Sequence, residues 1–204
     1  MKNFKKILII SSVLFIVITL LLQCTNSNKL SPIFIYDEND LLKISIEDVA
    51  KYHGDICPCT VITFRVLQLA ISELWRDEIP KRDDFIVISA LPSPGSIDTF
   101  EFITRVRTRY NGKNFKLEIP TEGKKIRTIK NYVFTIIRKS NGKSITIKVR
   151  PNIIPVELFK LRKKIKLDGT ATTEDKKKFK KIKNKVKNNF MRLPIKELFE
   201  FKIK

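Results

Sequence analysis

The chain has 204 residues and a formal net charge of +20, from 41 Lys and Arg against 21 Asp and Glu. An apolar content of 43% excludes a disordered polyelectrolyte, and three cysteines are too few for a disulfide-dense scaffold. The length suits one domain with a sizeable core, and the charge raises the question of an anionic partner.

The N-terminus has the pattern of an export signal. Three lysines within the first six residues precede residues 7–22, which carry no charge. This stretch is shorter than the roughly 20 residues that cross a bilayer comfortably. The following L-L-Q-C at 21–24 resembles a bacterial lipoprotein signal, which implies removal of residues 1–23 and lipid attachment at Cys24. An uncleaved anchor helix is the alternative, and either interpretation places the remaining chain outside the cytoplasm.

Residues 24–45 are predicted to form a tether, because 25–31 is short, polar and followed by Pro32. A domain is predicted over 46–204. Its first element is a short helix starting near Ile46, with Ser45 and Asp48 as the capping pair and Gly54 as the break.

The second predicted helix, over 59–75, is the most apolar segment after the signal. Pro58 suits the first helical position, with Cys57 as the cap. Apolar residues cover most of its circumference, which predicts the central core helix of the domain.

The later elements follow in a mixed order. We predict strands over 84–90, 115–119, 132–138, 144–150 and 198–203, and helices over 96–105 (capped by Ser96), 155–165 and 174–191 (capped by Thr173). This order predicts an α+β fold with a largely antiparallel sheet packed against the central apolar helix, followed by a basic C-terminal helical segment.

A cluster of His and Cys stands at the start of the central helix. His53 is the sole histidine, and Cys57 and Cys59 are the cysteines that remain besides Cys24. A helix N-terminus favours thiolate, and thiolate with imidazole suits zinc, iron or copper. Inert buried cysteines or a Cys57–Cys59 disulfide are the alternatives. No general-base carboxylate pair, nucleophile triad or phosphate loop is recognisable from the sequence.

The segment Y-H-G-D-I-C-P-C-T-V-I-T-F-R at 52–65 resembles the opening motif of the FmdE family, which is named after formylmethanofuran dehydrogenase. That motif runs H-G-H-x-C-P-G and is followed by an Arg. The matching positions are His53, Gly54, Cys57, Pro58 and Arg65. P-G-S-I-D at 94–98 resembles the second motif of the family, and the resemblance extends over about 46–204. The second His of the first motif is Asp55 here, one Gly is Cys59, and the Cys of the second motif is Gly95.

The resemblance implies a metal pocket with His53, Cys57 and Cys59 as ligands. In this pocket Cys59 or Asp55 replaces the ligand that the family motifs have and this chain lacks. Zinc or iron is the expected metal. Arg65 and Asp98 belong to the same pocket. Arg65 either directs an anionic substrate group to the metal or forms a salt bridge, with Asp98 as the candidate partner. The family's C-terminal zinc-binding module is not expected, because no cysteine follows Cys59.

The charge is concentrated near the C-terminus, where residues 160–204 carry a net +12, most of it in the helical part 160–191. This part could contact anionic lipid headgroups or another polyanion. A solvated face of a helix packed on the core is the simpler interpretation. Aromatic residues are not interleaved with the lysines, so nucleic acid is not expected.

These observations support two functional hypotheses. The first is a membrane-anchored, extracytoplasmic FmdE-like domain, in the periplasm or at the cell surface, that binds a transition metal and has redox or small-molecule activity. Formylmethanofuran dehydrogenase activity itself is not expected. The second is a non-catalytic surface lipoprotein with a degenerate pocket, which binds a partner or polyanion. The expected partners are the membrane, anionic lipid headgroups and a second copy of the chain as a homodimer.

Overall fold

The computed structural model describes residues 30–204. The predicted signal over 1–23, the lipidation site Cys24 and the first part of the tether, 25–29, lie outside the described residues. Residues 31–204 form a compact unit of their own. Within residues 30–204, no helix has both the length and the apolarity needed to span a bilayer.

The described chain begins with a hairpin, where the sequence predicted part of a tether. Strands β1 (Ile33–Asp37) and β2 (Asp40–Ile44) pair antiparallel through a two-residue turn. Ile33 and Ile35 alternate with more exposed residues and are buried, and Ile44 opposite Ile33 is buried as well. Burial of these isoleucines on one face stabilises a hairpin, so ordered structure begins well before residue 46.

Two helices follow, and their caps are as predicted. Helix α1 (Ile46–His53) has a capping box between Ser45 and Asp48, and Gly54 ends it with a left-handed φ of 104°. Helix α2 (Pro58–Leu74) has Cys57 as its N-cap and proline at its first position. A residue other than glycine would be strained at position 54, so the sharp reversal between the helices depends on Gly54.

Helix α2 is the centre of the domain, as the sequence predicted. Val61, Phe64, Val66 and Leu67 are all fully buried. The helix packs against α1 and two strands of the main sheet, as well as against helices α3 (Pro94–Thr104) and α5 (Thr173–Arg192). Its N-terminus is therefore fixed by contacts on several sides.

The main sheet has five strands in the order β4-β3-β5-β6-β7. Their bounds are β3 (Phe85–Ser89), β4 (Phe115–Leu117), β5 (Val133–Arg138), β6 (Ser144–Val149) and β7 (Phe199–Ile203). The pair β3 and β4 is parallel and the other pairs are antiparallel. The predicted α+β class with a largely antiparallel sheet is confirmed, and β7 forms one edge of the sheet.

The remaining helices differ slightly from the predicted bounds. Helix α3 begins at Pro94, because proline suits the first helical position, and Ser96 accepts a 2.8 Å hydrogen bond from Thr63 instead of capping the helix. Helix α4 (Val156–Lys163) continues into a π-helical turn (Lys164–Asp168). Helix α5 is capped by Thr172, one residue before the predicted cap, and α6 (Ile195–Leu198) leads into β7.

The capping box of α1 gives a pH-dependent prediction. Hydrogen bonds from the Ser45 hydroxyl and backbone N–H lower the pKa of Asp48 to about 2. A carboxyl group whose pKa is lowered in the folded state stabilises the fold above its unfolded pKa of about 3.9. It loses that contribution as the pH falls toward about 2. Asp48→Asn should therefore cost about 1 kcal/mol at pH 7, and the difference from wild type should shrink between pH 4 and pH 2 in urea denaturation. Asp168→Asn, at an exposed turn, is the control and should change stability by less than about 0.5 kcal/mol at any pH.

Candidate metal site

Three helix ends converge on the His/Cys motif. His53 is the last residue of α1, Cys57 is the N-cap of α2, and Asp98 lies in the N-terminal half of α3. The left-handed turn at Gly54 reverses the chain, so that the side chain of His53 faces the start of α2.

The ligand atoms of His53, Asp55 and Cys57 lie within 4.8 Å of one another. His53 Nε2 is 3.8 Å from Cys57 Sγ and 3.7 Å from Asp55 Oδ1. Tetrahedral metal–ligand bonds of about 2.0–2.3 Å would hold such atoms roughly 3.3–3.6 Å apart. The two distances from His53 Nε2 exceed these values by only a few tenths of an ångström, and closing the group further would let all three residues ligate one ion.

Asp98 holds the histidine in the orientation that a metal ligand requires. Its Oδ2 is 2.7 Å from His53 Nδ1. This contact favours the proton on Nδ1 and leaves the lone pair of Nε2 directed at Cys57 and Asp55. Burial lowers the pKa of His53, but the hydrogen bond to Asp98 and the interactions with Cys57 outweigh it and raise the pKa above its ordinary value.

The thiol of Cys57 is held at the helix N-terminus. The backbone N–H of Thr60 donates to Sγ at 3.5 Å, and the Thr60 hydroxyl lies 3.2 Å away. The pKa of Cys57 is nevertheless raised, because this thiol shares a hydrogen bond with Cys59 and is partly buried. A bound cation would offset this cost by stabilising the thiolate directly.

Cys59 lies beside Cys57 but outside the group formed with His53 and Asp55. It is buried, and Arg127 donates to its Sγ at 3.4 Å. The hydrogen bond from Cys57 and the guanidinium charge of Arg127 lower the pKa of Cys59 to about 6, although burial opposes the shift. Both cysteines are free thiols, so the disulfide alternative is not formed. Arg127 was not anticipated from the sequence, because 68 residues separate it from Cys59.

Gly95 on α3 lies against the same three-residue centre. A Cβ at this position would be 2.6 Å from Cys57 Sγ, 2.9 Å from Thr60 Oγ1 and 3.1 Å from His53 Nε2. The side chains of Cys57, Thr60 and His53 thus occupy the space that any larger residue at position 95 would need. A cysteine here, as in the second motif that residues 94–98 resemble, would require Cys57 or α3 to shift.

Arg65 faces a different part of the domain. Its guanidinium donates to Gln68 Oε1 at 3.2 Å and to the carbonyl of Leu193 at 2.8 Å. The carboxylate of Asp98 instead contacts His53. The structure therefore brings together His53, Asp55, Cys57 and Asp98, with Cys59 adjoining. The Arg65–Asp98 salt bridge, one of the two alternatives considered for Arg65, is not formed.

The contacts that link Cys57, His53 and Asp98 were also not predicted from the sequence. Cys57 Sγ, the imidazole and the carboxylate are in the order of a nucleophile, a base and an orienting acid. The 45 residues between His53 and Asp98 carry no signal of this contact.

Comparison with known proteins gives one family. A family model described as FmdE, molybdenum formylmethanofuran dehydrogenase operon, matches residues 52–200. The match contains all the residues of the candidate site. No curated protein matches the chain.

Proposed function

Because the chain belongs to the FmdE family, we propose that it is a membrane-tethered, extracytoplasmic domain of that family which binds a transition metal through His53, Asp55 and Cys57. The tether is supported by the basic N-terminus, the uncharged stretch 7–22 and the L-L-Q-C at 21–24. Formylmethanofuran dehydrogenase activity is not part of the proposal.

The observation that carries the metal function is the orientation of His53. Its Nδ1 is engaged by Asp98 at 2.7 Å, and its Nε2 faces the thiol of Cys57 and the carboxylate of Asp55. A carboxylate–histidine pair with one free imidazole nitrogen is the usual support for a metal ligand. One nitrogen, one sulfur and one oxygen ligand suit zinc or iron.

Three protein ligands leave at least one coordination position for an exogenous molecule. An ion held by these residues would supply Lewis-acid or redox chemistry to a small molecule. Gly95 keeps α3 close to the ligands, since a Cβ would be 2.6 Å from Cys57 Sγ. A ligand role for Cys59 stays a prediction, because its thiol interacts with Arg127 rather than with His53.

Metal analysis of the full chain tests the proposal. Protein extracted from the membrane fraction should contain about one transition-metal ion per chain by elemental mass spectrometry. Cys57→Ala and His53→Ala should each reduce this to below about 0.1, since removal of a ligand leaves too few donors. Cys59→Ala is the matched cysteine control and should retain the metal, with circular dichroism confirming that all variants fold.

A metal-free wild-type protein, or metal retained equally by all three variants, would refute the metal function and favour the degenerate pocket. Recovery of the full chain in the soluble fraction, with no lipid attached at Cys24, would refute the tether. The two parts of the proposal can therefore fail separately.

A second candidate is a thiol nucleophile, favoured by the order Cys57, His53, Asp98. In this function the imidazole accepts the thiol proton and the sulfur adds to a carbonyl carbon, while the C=O π electrons move to the oxygen, which the N-terminal N–H groups of α2 would stabilise. The raised pKa of Cys57 argues against it. Rapid alkylation of metal-free protein by iodoacetamide, slowed at least tenfold by Asp98→Asn, would favour the nucleophile. Slow alkylation of both the wild-type protein and Asp98→Asn would reject the nucleophile and leave metal binding as the remaining function.

A further inference from the structure

The largest concentration of charge lies away from the metal ligands in sequence, over residues 156–192. This basic segment comprises α4, the π-helical turn and α5, and it carries 14 Lys and Arg against four Asp and Glu. The metal site makes no use of it.

Helix α5 buries a narrow apolar stripe and exposes its lysines. Val186 and Phe190 are buried, and the helix packs on α2 and α4. Five of its lysines are exposed and form no ion pair with any residue in the described part of the chain: Lys176, Lys177, Lys180, Lys181 and Lys185. Cations at this density repel one another, so an external anionic surface would relieve a cost that the fold itself does not compensate.

An exposed leucine distinguishes a lipid surface from other polyanions. Leu167 lies in the π-helical turn between Lys166 and Asp168, and 52% of it is exposed. Lys163, Lys164 and Lys166 are exposed around it. An apolar side chain surrounded by cations is typical of helices that lie at a membrane interface. Nucleic acid would favour accessible aromatic rings, but Phe179 is half-buried and covered by the amine of Lys183.

We propose that the basic segment docks the folded domain onto an anionic lipid bilayer. The exposed lysines contact phosphate headgroups, and Leu167 enters the boundary between headgroups and acyl chains. The attraction of each lysine to an anionic surface adds to that of the others and is screened by salt, so binding through five lysines is strong and salt-sensitive. The docking goes beyond the proposed metal function and does not depend on it.

Vesicle sedimentation tests the docking with residues 31–204, which form a unit of their own, so that the apolar N-terminus does not dominate. The domain should bind vesicles of 30% phosphatidylglycerol in phosphatidylcholine at least tenfold more tightly than pure phosphatidylcholine. Raising the salt from about 50 to 300 mM should release it. Reversal of three lysines should weaken binding at least tenfold: Lys177→Glu, Lys180→Glu and Lys181→Glu.

Two matched controls separate the segment from general charge and hydrophobicity. Reversal of three exposed lysines elsewhere should weaken binding less than threefold: Lys113→Glu, Lys125→Glu and Lys143→Glu. Leu167→Ser should weaken binding about threefold to tenfold, whereas Leu41→Ser, at a similarly exposed leucine in β2, should not.

Three outcomes would overturn the proposal. They are equal binding to neutral and anionic vesicles, equal loss in both lysine variants, and binding that polyphosphate or RNA abolishes while Leu167→Ser has no effect. The last outcome would identify a polyanion as the partner. Metal content measured on the same variants should be unchanged, which keeps a failure of docking distinct from a failure of the metal site.

Discussion

Phe64→Ala should lower the free energy of unfolding by about 3–5 kcal/mol. Phe64 is fully buried in the middle of α2, the helix that contacts α1, α3, α5 and the sheet. Truncation removes the ring from the core and leaves a cavity that helices anchored on several sides cannot close. Since domains of this size are stable by about 5–15 kcal/mol, this one change would remove a large part of the total.

Chemical denaturation in the presence of a chelator measures the effect without a contribution from bound metal. Phe34→Ala is the matched control, because the same atoms are removed from a side chain on β1 that is 44% exposed. It should cost less than about 1 kcal/mol. A similar cost for the two variants would contradict the assignment of α2 as the centre of the core.

Gly95→Ala should reduce metal affinity by about tenfold to a hundredfold. The added methyl would lie 2.6 Å from Cys57 Sγ and 2.9 Å from Thr60 Oγ1, closer than van der Waals contact allows. Overpacking of this kind costs about 1–3 kcal/mol, and each 1.4 kcal/mol corresponds to about a tenfold change in affinity. The strain acts on Cys57 and His53, so it opposes the close approach of these two ligands to one ion.

Competition with a chromogenic chelator measures this affinity. Gly142→Ala is the control, because a Cβ there meets nothing within 4 Å while its φ of 73° strains the backbone. That variant should lose about 1 kcal/mol of stability and keep the wild-type metal affinity. Unchanged affinity in Gly95→Ala would mean that the metal ligands do not depend on the close approach of α3 at Gly95.

The local half of the site was predictable from the sequence. His53 and Cys57 are four residues apart, Gly54 supplies the turn, and Pro58 fixes the start of α2, so their proximity follows from short-range rules. The apolar circumference of α2 likewise identified the central helix. Patterns of this kind report burial and element boundaries within a short window.

The long-range half was not predictable in the same way. Periodicity cannot tell which helix ends meet. The hydrogen bonds from Arg127 to Cys59 and from Arg65 to the carbonyl of Leu193 therefore have no sequence signal. Asp98 was placed in the pocket through the family resemblance, but its 2.7 Å contact with His53 was not foreseen. The β1–β2 hairpin was missed because its charged turn resembles a linker, although Ile33 and Ile35 already alternate.

The sheet edge formed by β7 has a consequence for solubility. An edge strand offers unpaired backbone groups to a second chain, and exposed apolar residues make such pairing more favourable. Phe201 and Ile203 are both exposed on β7, and they alternate with Lys202 and Lys204. Charged side chains on an edge strand oppose strand-to-strand association, and the net charge of +20 adds repulsion between two copies of the chain. Concentrated salt screens this repulsion, so purification at low to moderate ionic strength should preserve a dispersed protein.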